Sequence, residues 1–497
     1  MNAWLTVLAT LVAAVTSVRW LRIAQREHYL AGSVVRFALR WWRSTPLNMV
    51  VAGLALVGVV GVWLWPLLGW LGLVAGLGPL GLSMRGRTSK LAWTGRLRRL
   101  SGAAGALFGA TLLIGLVTGR PGWTVATVVG SPLMVDLSLV LLSPIERRLG
   151  QRWVDQARSR LASSGARVVA ITGSYGKTTT KGYLGHLIGG RFHASVSPAS
   201  FNNRMGLARA INEHLVPGTE VFVAEMGTYG RGEITELCEF VTPEIGIITA
   251  IGPVHLERFG SLEAIVESKR EILERSRVAV LNIDDDYLAK VADEETGRRQ
   301  VVRISARAQH ADVAVVGQVL RVGQREVASV GPEVFGANLA AAVAAALELG
   351  MTVAEIAPRL GDLPTTAHRR HVMTTDRGLV VVDDTYNSNP AGAVAALDVL
   401  QALPGSGRKV VVTPGMVELG KRQYDENLRL ARSASTLATD LIVVGQTNRR
   451  ALSEGAVGGR AAVTVVASRE QAVDWVRSHL EPGDAVLYEN DLPDHYP

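Results

Sequence analysis

The sequence predicts an α-helical transmembrane bundle followed by two α/β domains, and three observations support this fold class. Long apolar runs separated by arginine-rich loops fill about the first 150 residues. After Gln156, short apolar strands alternate with helical stretches, a pattern typical of mostly parallel sheets. One of these strands, 168–172, runs into a glycine turn followed by lysine and threonine. We expect a transmembrane domain at 1–150, a central α/β domain that contains this glycine turn at 160–363, and a C-terminal Rossmann-like domain at 364–497.

Apolar runs in the first domain predict about five membrane helices, some of them short unless flanking residues are counted. The helices of a soluble bundle normally keep a polar face, which these runs lack. Ten of the eleven tryptophans lie at or before Trp153, as expected of an aromatic belt at the membrane interface. The runs are residues 3–18, 49–66, 67–82, 105–117 and 125–142.

Charge divides the chain near the same boundary. Through Trp153 there are 16 Lys and Arg against three acids, a balance of +13, and the rest of the chain has a balance of −5. Basic residues concentrate in alternate loops, within 19–43, 85–99 and 147–152. The positive-inside rule then predicts a multi-pass protein of the inner (plasma) membrane, with its N-terminus outside and its catalytic domains in the cytoplasm. Because the positive charge lies between apolar segments, nucleic-acid binding is not expected.

Two isolated residues carry further information. Asp136 lies inside the last apolar run, where an acid is costly unless it faces protein or water, so it is a functional candidate. The alternatives are a position near the interface or pairing within the bundle. Cys238 is the one cysteine, which allows no internal disulfide and suits a reducing compartment. We interpret Cys238 as a small core residue.

The remaining two thirds of the chain follow an alternating strand and helix pattern. A break near residues 363–365 suggests two parallel-sheet domains, and a cleft between them is the natural reaction site. The predicted strands are residues 168–172, 221–225, 245–251, 380–383, 409–413, 441–444, 463–466 and 485–488.

The glycine turn after the first of these strands has the pattern of a phosphate-binding loop. Backbone N–H groups of such a turn converge on an anion, Lys177 can reach the terminal phosphates, and Thr178 can bind magnesium. The usual pattern has a further glycine where this chain has Ile171, so only Gly173 and Gly176 serve here. A purely structural turn would account for the glycines but not for the Lys-Thr-Thr run. The loop predicts binding of a nucleoside triphosphate.

Two polar residues follow later strands. Glu225 ends an apolar strand, and in a parallel sheet that end points into the ligand crevice, where a carboxylate can hold magnesium. The alternative is a glutamate that caps the following turn. His255 lies just beyond another strand and Lys269 on the helix after it, although a lone loop histidine is more often structural.

Four stretches together resemble the Mur ligase family, the ATP-dependent amide ligases of peptidoglycan precursor synthesis. The likeness is greatest to the D-alanyl-D-alanine-adding branch (MurF) and covers roughly residue 166 to the C-terminus. The last stretch is the most specific, since it is close to that branch's D-D-x-Y-N-A-N-P pattern. The stretches are residues 172–179, 201–206, 251–261 with Lys269, and 383–390.

The resemblance implies roles for individual residues, with ATP and Mg²⁺ as cofactors. Lys177, His255 and Lys269 would be the catalytic residues, and Lys269 would react with carbon dioxide to give a carbamate. A carbamate is an anion and could help to bind magnesium where an ammonium would repel it. The implied magnesium ligands are Thr178, Glu225, His255 and Lys269, and the implied nucleotide-binding residues are Gly173, Ser174, Tyr175, Gly176, Lys177, Thr178, Thr179, Asn203, Asn338, Arg369 and Asp384.

The implied reaction is amide bond formation through an activated carboxylate. A carboxylate attacks the γ-phosphate of ATP to give an acyl phosphate, and an amine such as an amino acid or dipeptide then displaces phosphate. Magnesium and Lys177 would offset the repulsion between the two anions that are brought together. We therefore predict a membrane-anchored Mur-type ligase of cell-wall or envelope precursor synthesis, in contact with membrane lipid.

Three features depart from the branch pattern. Val334-Phe335 replaces its histidine-asparagine pair, and residues 487–493 lack its Lys-Gly-Ser run. Apolar helices stand where the branch has a UDP-sugar-binding domain, which suggests a carboxylate substrate that is a peptide associated with the membrane or linked to lipid. The alternatives are a poly-γ-glutamate synthetase-like ligase and a nucleotide-sensing membrane scaffold or transporter without ligase activity.

Overall fold

The computed structural model describes most of the 497 residues, and it divides into two compact units. The first comprises Met1–Leu149, Gly445–Thr447 and Leu492–Pro497, and the second comprises Gly150–Val444 and Asn448–Asp491. The described residues are 2–82, 84, 91–198, 201–308, 310–331, 334–364, 370–386, 388–404, 407–492 and 496.

The first unit is helical. Thr45 and Thr94 cap helices in it, since each hydroxyl accepts a hydrogen bond from a backbone N–H of the first turn. Pro66–Leu68 forms a short 3-10 helix. The α-helices are α1 (Asn2–Arg26), α2 (Ser33–Trp42), α3 (Pro46–Gly61), α4 (Gly69–Gly76), α5 (Gly95–Thr118), α6 (Gly122–Val129) and α7 (Ser131–Ser164), the last of which ends in the residue range of the second unit.

Two described helices, α1 and α5, are long and apolar enough to cross a membrane. The number rises to four if α2 with α3, bent by 115°, and α6 with α7, bent by 81°, each count as one span. The sequence predicted five. The difference lies partly at 67–82, where α4 has only eight residues and is about 12 Å long, against a hydrocarbon thickness of about 30 Å.

Glycines allow α4 to pack closely against α3. A Cβ at Gly58 of α3 would overlap the backbone of Gly72 in α4, so the two helices approach more closely than larger residues allow. α3 and α4 therefore form a tight helical hairpin rather than two long helices.

Asp136 has a structural contact in the bundle. Its carboxylate accepts hydrogen bonds from the backbone N–H of Val35 at 2.8 Å and of Val34 at 3.4 Å, in the first turn of α2. These N–H groups have no partner within their own helix, and the end of the helix favours negative charge. Of the alternatives for Asp136, the structure shows pairing within the bundle.

The second unit contains two sheets, of which the first has nine strands in the order β2-β3-β1-β4-β5-β6-β7-β8-β9. The strands from β2 to β7 are parallel, and β8 and β9 add an antiparallel extension. They are β1 (Arg167–Thr172), β2 (Ala194–Val196), β3 (Val221–Glu225), β4 (Ile245–Ile248), β5 (Val278–Asn282), β6 (Gln300–Ser305), β7 (Val313–Val316), β8 (Val319–Val322) and β9 (Arg325–Ser329).

Helices cover both faces of this sheet, so its central strands are buried and apolar throughout. Every residue of β3 is buried, and alternate residues of β1 belong to separate apolar clusters on the two faces. The helices are α8 (Lys177–Ile188), α9 (Arg204–His214), α10 (Glu233–Val241), α11 (Leu256–Phe259), α12 (Leu262–Arg270), α13 (Asp286–Glu295), α14 (Gly336–Glu348) and α15 (Val353–Ile356), with 3-10 segments at Glu271–Arg275 and Ala357–Asp362.

The second sheet has six strands in the order β10-β11-β15-β12-β13-β14 and is parallel except for β10. Its strands are β10 (His371–Thr374), β11 (Val380–Asp384), β12 (Lys409–Thr413), β13 (Asp440–Val444), β14 (Ala462–Val466) and β15 (Ala485–Glu489). Its helices are α16 (Pro390–Ala402), α17 (Gln423–Leu437), α18 (Arg449–Gly455) and α19 (Arg469–His479), with a 3-10 turn at Gly420–Arg422.

Candidate functional site

The phosphate-binding loop lies between β1 and α8, and its two glycines are required by space as well as by conformation. Gly173 has φ 151° and Gly176 has φ 81°. A Cβ at Gly173 would overlap the hydroxyl of Thr249, and a Cβ at Gly176 would lie 2.5 Å from Oδ1 of Asn338. Both positions therefore exclude other residues.

Ile171, which stands where the usual pattern has glycine, is a core residue of β1. Its side chain is fully buried in one of the apolar clusters of the nine-stranded sheet. The loop after it is held by the segment that follows β4, since Ser174 N–H donates to Ala250 O at 2.8 Å and the Ser174 hydroxyl donates to Gly252 O at 3.1 Å. The departure from the pattern therefore leaves the turn intact.

Lys177 and Thr178 begin α8 and point to different partners. The Lys177 ammonium donates to Gly173 O at 2.7 Å, so the lysine folds back across the loop that would hold the phosphates. The Thr178 hydroxyl donates to Oε2 of Glu225 at 3.0 Å. The structure thus brings together Thr178 and Glu225, two of the predicted magnesium ligands.

Glu225, at the end of β3, is the centre of a buried polar cluster. Its side chain is 2% exposed, with Lys181 Nζ 2.9 Å from Oε2 and Asn202 Nδ2 donating to Oε1 at 3.0 Å. Burial alone would raise the pKa of Glu225, but the charges of Lys181 and Lys177 and the hydrogen bonds of Lys181 and Asn202 hold it below its ordinary value. The carboxylate is therefore ionised and suited to a divalent cation.

Two residues of this cluster, Lys181 and Asn202, were not predicted from the sequence. Lys181 lies four residues after Lys177 and therefore on the same face of α8, which is a signal that the helical period could have supplied. Asn202 adjoins the predicted Asn203, whose own side chain instead caps α9 by accepting from Gly206 N–H at 2.9 Å. Of the two neighbouring asparagines, the structure places Asn202 at the carboxylate.

Lys269 is buried near the same loop. Its side chain is 5% exposed, and burial, followed by the positive charge of Lys177, lowers the pKa of Lys269 well below its ordinary value. The neighbouring Ser268 hydroxyl donates to Gly230 O at 3.0 Å, which fixes this part of α12. An uncharged amine is the form that can react with carbon dioxide, so the site fits the implied carbamate.

His255 has a left-handed backbone conformation, with φ 56°. Its side chain contacts one aromatic and one acidic residue. Its ring packs edge-on against Tyr229 with centroids 4.6 Å apart, and its Nδ1 contacts the carboxylate of Glu418. Among the described residues, no group of three His, Cys, Asp or Glu side chains forms a ready metal site. Magnesium ligation by Thr178, Glu225, His255 and Lys269 therefore remains a prediction.

A cavity of about 580 Å³ adjoins the phosphate-binding loop. Tyr175, Gly176 and Thr179 line it on the side of the nine-stranded sheet, and Asp384 and Asn389 line it on the side of the six-stranded sheet. Its size and its position next to the loop suit a nucleotide. The lining also includes the predicted Asn338, at the start of α14.

Phe335, one of the departures from the family pattern, forms part of this cavity. The guanidinium of Arg370 lies over its ring, 3.7 Å from the centroid, in a cation–π contact. The backbone N–H of Arg370 donates to Oδ1 of Asp384 at 3.1 Å. The predicted Arg369 lies outside the described residues.

Comparisons with known proteins agree with this geometry. A model of the Mur ligase middle domain matches residues 171–345, and a model of the Mur ligase glutamate ligase domain matches residues 368–488. The UDP-N-acetylmuramoyl-tripeptide–D-alanyl-D-alanine ligase of Mycobacterium leprae is 31% identical, over 66% of this chain and 72% of its own. The ligase of the same name from Bacillus subtilis (strain 168) is 27% identical, over 67% and 74%.

Solved structures show the same similarity. A crystal structure of MurF from Acinetobacter baumannii superposes with a TM-score of 0.59 at 26% identity, over 69% of this chain and 77% of that one. MurF from Thermotoga maritima in complex with ADP gives a TM-score of 0.57 at 26% identity, over 69% and 80%.

The two α/β domains with their phosphate-binding loop and buried carboxylate define an ATP-dependent ligase that forms carbon–nitrogen bonds. The chain belongs to the Mur ligase family, and the similar proteins named above are of the MurF type.

Proposed function

We propose that this chain joins an amine to a carboxylate at the cytosolic face of a membrane, using ATP and Mg²⁺. The observation that carries the proposal is the Glu225 cluster beside the phosphate-binding loop. It combines an ionised carboxylate, two lysines and a threonine hydroxyl at the end of a parallel strand. Such a cluster suits a metal-bound triphosphate.

The residues of the chain have distinct tasks in this reaction. Lys177 can leave Gly173 O for the β- and γ-phosphates, while Lys181 keeps Glu225 ionised. Thr178 and Glu225 would hold Mg²⁺, which supplies charge neutralisation where the carboxylate substrate approaches the γ-phosphate. Lys269 would complete the metal site as a carbamate, which removes a positive charge next to Lys177.

We further propose that the amine is a dipeptide and the carboxylate a peptide carried by a membrane lipid. The similar ligases bear names that specify D-alanyl-D-alanine and a UDP-linked tripeptide. The family models begin at residue 171 in this chain, after helices of which at least two have the length and composition of membrane spans. A ligase held at the membrane has access to lipid-linked carboxylate substrates.

The direct test is ATP consumption by the purified full chain with a panel of carboxylates and amines, with mass spectrometry of the products. We expect an amide product and ADP with D-alanyl-D-alanine as the amine, and no product from Lys177→Ala. Turnover with glutamate alone would favour a poly-γ-glutamate synthetase-like ligase. Tight ATP binding without any amide product would favour a nucleotide sensor.

The membrane part of the proposal has its own test. The same tripeptide is supplied to the full chain either as a UDP-linked compound or as a polyprenyl-diphosphate-linked compound in vesicles. We expect faster ligation of the lipid-linked form. Equal rates for the two forms, or recovery of the expressed protein in the soluble fraction, would contradict it.

A further inference from the structure

Glu489 is a buried carboxyl group in the centre of the six-stranded sheet. It ends β15, which lies between β11 and β12, and its side chain is fully buried. Its Oε1 contacts the hydroxyl of Ser388, and its Oε2 accepts from the hydroxyl of Thr413 at 2.5 Å. Ser388 lies in the segment that follows β11, and Thr413 is the last residue of β12.

Asn490 bridges the same two segments with its backbone and amide. Its N–H donates to Asp384 O at 3.1 Å, and its Nδ2 donates to Gly415 O at 2.6 Å. It adopts φ 66°, a conformation that asparagine tolerates better than most residues. Glu489 and Asn490 together therefore link two loops at the carboxyl edge of the sheet, where ligands of parallel sheets bind.

Both loops face the nine-stranded sheet's domain. The first, formed by residues 384–386, 388 and 389, is the cavity loop, because Asp384 and Asn389 line the nucleotide-sized cavity. The second, residues 413–418, is the histidine loop, because it ends at Glu418, whose carboxylate contacts His255. The cavity and the predicted metal-binding histidine are thus contacted by loops that share one buried carboxyl group.

Burial raises the pKa of Glu489 to about 7, the hydroxyls of Ser388 and Thr413 act in the opposite direction, and Asp384 raises it further. Ser388 stands where the family branch has alanine, which cannot form this hydrogen bond, and Glu489 lies in the segment that lacks the Lys-Gly-Ser run. The contact is therefore a feature of this chain rather than of the branch pattern.

We propose that Glu489 is a positioning residue for the ligation, which holds the cavity loop and the histidine loop in fixed relation through Ser388 and Thr413. Glu489 does not touch the reacting atoms, and it acts by keeping Asp384 at the nucleotide and Glu418 at His255. The consequence for catalysis rests on the proposed function, whereas the linkage of the two loops does not.

The test uses three variants of the full-length chain, which are Glu489→Ala, Glu489→Gln and Ser388→Ala. The control is Ser478→Ala, because Ser478 is an exposed residue of α19 and its replacement should change neither loop. The first measurement is hydrogen exchange of the backbone amides, which requires no ligase activity. We expect Glu489→Ala to speed exchange roughly two- to tenfold in both loops, as loss of buried hydrogen bonds would. Ser388→Ala should affect the cavity loop more than the histidine loop.

The second measurement is ligation, with the substrate pair that the panel identifies. We expect Glu489→Ala to lower kcat roughly two- to tenfold, and Glu489→Gln, which keeps the shape and hydrogen bonds, to recover most of this loss. The kcat of the wild type should change between about pH 6 and 8, because Glu489, with a pKa of about 7, titrates in this range. Glu489→Gln should remove that change.

The outcomes separate the two proposals. Faster exchange in both loops without any amide product would leave the linkage intact and reject the ligase function. Unchanged exchange in either loop of a folded Glu489→Ala protein would overturn the linkage. If Glu489→Ala does not fold, Ser388→Ala and Thr413→Val each remove one hydrogen bond to Glu489. Hydrogen exchange of these two variants then tests whether Glu489 links the two loops.

Discussion

At the scale of single residues, the site depends on charges that burial makes strong. Glu225 and Lys181 are almost completely inaccessible to solvent, so neither group is fully solvated by water. In such surroundings, removal of one partner leaves the other buried without compensation, which costs more than the loss of an exposed ion pair. The sequence predicted Glu225 but not the lysine that keeps it ionised.

We expect Glu225→Gln to reduce kcat/KM for ATP by roughly 100-fold or more, because an amide cannot replace a charged magnesium ligand. Steady-state kinetics over a range of Mg²⁺ concentrations would measure this loss. Glu213→Gln, at an exposed ion pair with Arg209, is the matched control and should leave the kinetics unchanged. A Glu225→Gln enzyme with normal magnesium dependence would contradict the assignment.

We expect Lys269→Ala to be inactive and to recover part of its activity with added short-chain carboxylates, which can occupy the place of a carbamate. Carbon-13 NMR of the wild-type protein in labelled bicarbonate should show a carbamate signal that Lys269→Ala lacks. Full activity of Lys269→Ala without added anions would refute the role.

In buffer free of carbon dioxide and bicarbonate, where Lys269 is an unmodified amine, the stability of the protein should also depend on it. Because its pKa in the folded state lies below its unfolded value, folding releases a proton, and the lysine destabilises the protein increasingly as pH falls from about 10 toward the folded pKa. Lys269→Met should therefore be more stable than the wild type at neutral pH, and the difference should shrink as pH rises. Thermal unfolding between pH 6 and 9 would measure this trend.

At the scale of elements, periodicity and strand ends predicted most of what positions the site. The strand at 168–172 and those at 221–225, 409–413, 441–444 and 463–466 agree with the structure to within one residue. The strands β2 and β5 to β10 were not predicted, since segments of three to six residues carry little periodic signal. Contacts between distant segments, such as Asn202 with Glu225 or Glu489 with Ser388, could not be predicted, because they depend on the register of strands that are remote in sequence.

We expect Gly176→Ala to abolish nucleotide binding, because its Cβ would press against Asn338 at the mouth of the cavity and its φ is unfavourable for alanine. Gly182→Ala, six residues later in α8, is the matched control, since its Cβ would meet its nearest neighbour at 3.8 Å. Gly182→Ala should bind nucleotide normally and unfold at a slightly higher temperature. Titration with a fluorescent ADP would compare them, and equal affinities would contradict the geometry.

At the scale of the whole molecule, the chain combines a ligase of two α/β domains with an apolar helical region. The family models account for the ligase part, and the helical region supports the proposal of a membrane-associated substrate. The sequence predicted the helical composition, but not that α3 and α4 form a glycine-packed hairpin or that Asp136 caps α2. Those features arise from close approach of helices, which hydropathy does not encode.

In the proposed reaction, the γ-phosphate of ATP is transferred to a carboxylate before the amine attacks. The most direct measurement uses a carboxylate substrate labelled with oxygen-18 and mass spectrometry of the phosphate that is released. We expect one labelled oxygen in each phosphate, together with ADP and the amide. Unlabelled phosphate, or the release of AMP and diphosphate, would contradict it.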